Sequence, residues 1–148
     1  MLALNVLTAL FLASVARAAA PTVPIIQMTY PPPRGVASVD THTIAPCQGF
    51  AVGGRSPFPI SSGASIALNM SRDAKDVHIR YTKLADPKSN DDFSPLSTNL
   101  TQVYRGSRCV DQPDFAAKGL KVGDDVTMQL WYISGPKNTT VSLTMLSH

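Results

Sequence analysis

The chain has 148 residues and a formal charge of +3, from 13 Lys and Arg against 10 acidic residues. Its basic residues are scattered, so the basic stripe that a nucleic-acid surface needs is missing and nucleic acid is not expected as a partner. All ten acidic residues are Asp; with 12 Pro and 9 Gly, this points away from long exposed helices, which favour Glu, and toward strands and turns.

Residues 4–15 (LNVLTALFLASV) form an apolar run of 12, too short to span a bilayer, which needs ~20 residues. Ala16-Arg17-Ala18 has the small-x-small form of a cleavage site. Cleavage after Ala20 would leave Pro21 just past the cut, so cleavage is expected after Ala18. That assigns residues 1–18 to a signal peptide and 19–148 to one mature domain of about +2 charge, Arg17 being lost with the leader. No later segment is apolar enough to cross a membrane, so the mature chain is expected to have no transmembrane segment. The expected location is secreted, extracellular or at a cell surface.

Residues 23–30 (VPIIQMTY) read as a first strand, followed by the stiff Pro31-Pro32-Pro33 and a turn at Arg34-Gly35. Residues 36–63 carry no period and read as a long loop. Residues 64–69 (ASIALN) alternate weakly. Residues 77–83 (VHIRYTK) alternate clearly, with Val77, Ile79 and Tyr81 inward and His78, Arg80 and Thr82 outward. Residues 86–99 read as a polar loop. Residues 126–133 (VTMQLWYI) and 140–146 (TVSLTML) are two more strands, the last with Val141, Leu143 and Met145 on one face. Short strands between turns predict an all-β fold, an immunoglobulin- or fibronectin-like β-sandwich with long loops and no more than short helical turns.

The two cysteines, Cys47 and Cys109, form an even pair, which in a secreted chain is expected to be a disulfide. It would close a loop of about 60 residues, worth roughly 4 kcal/mol. Asn69, Asn99 and Asn138 each begin an N-x-S/T sequon, which predicts a glycoprotein.

The order Tyr30-Pro31 to Gly35, then Pro46-Cys47-Gln48-Gly49-Phe50, then Arg55 with Phe58-Pro59 resembles the fungal copper acquisition factor-like family. The block from Asp86 to Phe93 and the Gly123-Asp124 turn are similar too, so the resemblance runs over most of residues 25–135. It implies a sandwich similar to that of lytic polysaccharide monooxygenases, with copper at one end. In the family an N-terminal His binds through its amine and its ring. A second His follows the strand after the Phe-Pro segment, and a carboxylate comes from near the C-terminus. Such nitrogen ligands suit Cu(II) in a tetragonal arrangement.

This chain departs from that pattern. No His lies in residues 1–41, so the mature chain begins with Ala or Pro, and Ile66-Ala67-Leu68 aligned on the family's strand puts Arg72 where the second His falls. The chain reaches His148 before the cysteine-containing stretch where the carboxylate is sought, so the domain is expected to be C-terminally incomplete. Copper is thus the family's expected cofactor, and tight copper binding is not expected here.

Other candidates are ordinary by their setting. His42, His78 and His148 read as surface histidines, and Met28, Met128 and Met145 as core, with Met70 exposed in its sequon. Asp73 with Asp76, and Asp91 with Asp92, sit in polar turns where Asp caps local backbone donors, so no catalytic residues are assigned and no enzyme is expected. Trp131 and Tyr132 face opposite sides of a strand; one is core and the other is free to stack on a sugar. The reading is a secreted copper-acquisition family protein with its copper ligands missing. The alternative is a metal-free module that recognises a surface protein or glycan.

Overall fold

The computed structural model describes residues 26–36, 38, 41, 44, 46–60, 65–97, 100–111 and 113–134, and the backbone of Thr139–Ser147. Eight strands run in chain order: β1 (Ile26–Tyr30), β2 (Ser65–Met70), β3 (Ala74–Thr82), β4 (Ser94–Pro95), β5 (Leu100–Val103), β6 (Gly106–Asp111), β7 (Val126–Ser134) and β8 (Thr139–Ser147). Two single 3-10 turns, Asn90–Asp92 and Ala116–Lys118, are the described helical segments.

The strands form two antiparallel sheets. One has the order β1-β2-β6; the other has the order β4-β3-β7-β8, with β5 also paired to β3. β4 and β5 lie end to end along one edge of β3, pairing at Arg80–Tyr81 and at Ala74–Val77 respectively. The alternation expected from the sequence is realised: Ile66 and Leu68 from one sheet and Val77, Ile79, Met128, Leu130 and Tyr132 from the other are almost fully buried. These side chains meet in one core between the sheets, each contributing about 1.5–3 kcal/mol by leaving water. The architecture is the all-β sandwich expected from the sequence.

Several details differ from expectation. Residues 100–111, unassigned in the sequence, supply β5 and β6. Met70 is buried, because it continues the Ile66–Leu68 face of β2, while Asn69 beside it is exposed. Thr82 lies on the outward side of β3, as expected, yet is buried, because a covering loop accepts its partner's hydrogen bond: Thr127 Oγ1 donates to the Leu84 carbonyl at 2.7 Å. The side chains of Val141, Leu143 and Met145 lie outside the described residues; the register pairs their backbones with Tyr132, Leu130 and Met128.

Candidate functional site

One end of the sandwich gathers the start of β1, the β2–β3 turn and the β5–β6 turn, since Ile26 pairs with Met70, Met70 with Gly106 and Ala74 with Val103. Its described charged side chains are Arg72, Asp73, Lys75, Asp76 and Arg105. Asp73 Oδ1 accepts the Arg105 backbone N–H at 2.8 Å and so ties the two turns together. Asp76 adopts a positive φ of 49° at the bulge between Lys75 and His78. Tyr104 stands 66% exposed beside them.

The opposite end is built from the sequence motifs noted above. Tyr30, Phe58 and Phe115 form a chain of rings with centroids 5.6 and 5.7 Å apart. Gly35 packs so closely on Phe50 that a Cβ there would sit 2.8 Å from the ring. Arg34 Nη2 donates to the Ala85 carbonyl at 2.6 Å, and Arg55 lies 3.5 Å from Asp125. These motifs therefore hold loops onto the sandwich; they contribute packing, and the position of Arg72 lies at the far end from them.

A third region is the outer face of the five-stranded sheet. Loops roof much of it: Gln129 is fully buried, and its Nε2 donates to Asn90 Oδ1 at 2.9 Å and to the Pro46 carbonyl at 3.3 Å. The roof stops at the cross-strand pair His78 and Trp131, whose rings meet edge to face at 5.0 Å. A concavity of about 340 Å³ opens there, lined by His78, Arg80, Asn90, Asp91 and Trp131.

A profile described as Copper acquisition factor BIM1-like matches residues 24–144. The chain belongs to this copper acquisition factor family. It is similar to the protein named Copper acquisition factor BIM1 of Cryptococcus neoformans var. neoformans serotype D, with 33% identity over 99 residues. That match covers 60% of this chain and 45% of the relative, so the chain spans under half of the relative's length.

The family implies copper, and the described residues at the Arg72 end do not fit a copper ion. Guanidinium and ammonium groups are donors only and offer no lone pair to a metal. The described carboxylates of this end are two, Asp73 and Asp76, and Asp73 Oδ1 accepts a backbone N–H. Among the described residues, no three His, Cys or Asp side chains converge. The N-terminal residues, His42 and His148 lie outside the described residues.

The structure separates the two cysteines. Both stand as free thiols in this structure, Cys47 buried and Cys109 exposed. The reason is topological. Cys109 pairs with Ala67 on the outer face of the three-stranded sheet, opposite the side of buried Val110. Cys47 sits in the loop that roofs the outer face of the other sheet through Pro46 and Gln129. Two sheets pack about 10 Å apart, and a disulfide needs Cα atoms within about 7 Å.

Asn69 is exposed on β2, while Asn99 and Asn138 lie outside the described residues. Met28 and Met128 are core. The acidic pair Asp91–Asp92 divides: Asp92 Oδ2 accepts the backbone N–H groups of Lys88 and Ser89 at 2.8 and 3.0 Å, and Asp91 is exposed. Those bonds, Ser89's first, hold the Asp92 carboxyl below its ordinary range.

Proposed function

We propose that this chain takes part in copper acquisition outside the cell, as a secreted or cell-surface glycoprotein, without a tight two-histidine copper site of its own. The copper role rests on family membership. The observation that carries the second half is Arg72. It stands exposed in the turn after β2, where the resemblance puts the second imidazole, with Lys75 and Arg105 close by. A fixed positive charge there repels a cation and cannot ligate it. Glycosylation at exposed Asn69 belongs to the same reading.

The test is N-terminal sequencing of the secreted protein, followed by calorimetric titration with Cu(II). The expected result is an Ala19 start and a dissociation constant of about 1 mM or weaker. Binding at about 1 μM or tighter would overturn the reading.

A further inference from the structure

We propose that the concavity around Trp131 is a binding site for a neutral saccharide, separate from any copper chemistry. Four observations converge on it. Trp131, the only tryptophan of the chain, is half-buried on the outward side of β7, and an edge-to-face contact with the His78 ring holds it. An aromatic face held in that way offers a flat apolar platform with little side-chain entropy left to lose.

The second observation is the hollow itself. Loops cover Thr82, Thr127 and Gln129 on this sheet face, and the covering ends at Asn90 and Asp91. The result is a depression of about 340 Å³ with the indole on one side and the 3-10 turn on the other, a volume suited to a small ligand or one ring of a longer chain.

Third, hydrogen-bonding capacity is left over. Asn90 accepts from Gln129 through Oδ1, which leaves its NH₂ group without a partner among the described residues. The Asp91 carboxylate and the His78 ring nitrogens likewise have no hydrogen-bond partner there. Donors and acceptors beside an aromatic plane match a pyranose, which has one C–H face and a rim of hydroxyls that both donate and accept.

Fourth, the charges give no net attraction to an anion. The pocket's cation is Arg80, and its Nη2 is held on the Phe93 carbonyl at 2.6 Å. Its carboxylate, Asp91, is exposed. An acidic sugar would meet Asp91 while the guanidinium is already engaged.

The experiment is a fluorescence titration of the purified, copper-free protein, read through its single tryptophan, so its outcome is independent of the copper reading. The probes are cellohexaose, mannohexaose and chitohexaose, which differ at the sugar's 2-position, with hexagalacturonate as the acidic control. The expected result is a saturable emission change with at least one neutral probe, at a dissociation constant below about 1 mM. Asp91→Ala should weaken that binding by about fivefold or more, and Trp131→Phe should do the same by calorimetry. Asp91 is exposed and makes no side-chain bond among the described residues, so its variant decides the matter even if Trp131→Phe folds poorly. The proposal is overturned if no neutral probe saturates by about 10 mM, if hexagalacturonate binds more tightly than all three, or if Asp91→Ala binds as well as the wild type.

Discussion

The backbone N–H of Ile26, on β1, donates to the hydroxyl of Tyr132, on β7, at 3.4 Å. Both residues are fully buried, and they belong to different sheets. The bond therefore crosses the core and fixes the first strand of one layer against the second layer. It also settles which of the adjacent aromatics faces in: Tyr132 is committed to the interior, and Trp131 to the outside.

Tyr132→Phe keeps the ring and removes the acceptor, leaving the Ile26 N–H buried without it. The bond is long, so the expected loss is about 1 kcal/mol. Urea unfolding of the two proteins checks this. Trp131→Phe, at a half-exposed site, is expected to cost less than half of that. Equal losses would mean that the cross-sheet bond does not matter.

Gly35 and Phe50 form a second testable pair. A methyl group at Gly35 would meet three atoms of the Phe50 ring at 2.8–3.0 Å. Gly35→Ala is expected to destabilise by about 1–3 kcal/mol through overpacking. In a Phe50→Leu background the same change should cost much less, and a double-mutant cycle measures the difference. Additive losses would show that the strain lies in the backbone and not against the ring.

Acid should weaken the fold through two carboxylates. Backbone hydrogen bonds from Ser89 and Lys88 lower the pKa of Asp92 below the ordinary value of 3.8. The Lys83 ammonium, bonded at 2.8 Å, and then the Lys121 N–H lower that of Asp124 below the same value. A depressed folded-state pKa means that the unfolded chain takes up the proton first. The stabilisation is therefore complete above the ordinary value and disappears as pH falls through the lowered ones. Thermal melts of wild type and of the Asp92→Asn, Asp124→Asn double variant should differ near neutral pH and converge as pH falls through the lowered values.

The two thiols are expected to react very differently. A thiol reagent should label Cys109 in the native protein and Cys47 only after unfolding, since one is exposed and the other buried. Mass spectrometry of the labelled peptides reads this directly. Two protected cysteines released together by a reductant would instead mean that the bridge forms and the sheets are arranged otherwise.

Where burial depends on a local period, the sequence sufficed. Val77 and Ile79 on β3, and Met128 and Leu130 on β7, alternate with outward residues and form the core as expected. The motifs of residues 30–59 pointed to the family, and in the fold they pack closely: the Phe50 ring lies against Gly35, and Phe58 against Tyr30 and Phe115. The identity of Arg72 is likewise a sequence fact that needs no coordinates.

Tertiary structure decided the rest, because those features depend on partners distant along the chain. β6 carries one buried residue, Val110, in six, so its own pattern is nearly silent; it becomes a strand by pairing with β2. Alternation says that Trp131 and Tyr132 oppose each other, and only the second sheet, through Ile26, selects which is buried. Cysteine count suggests a bridge, but the side of the sheet on which each cysteine stands is set by register, and register places Cys109 on one outer face and the Cys47 loop on the other. The hollow at Trp131 exists because Gln129, buried on an outward face, anchors the loop that carries Asn90. A side chain's period is written locally; what covers it is determined by residues dozens of positions away.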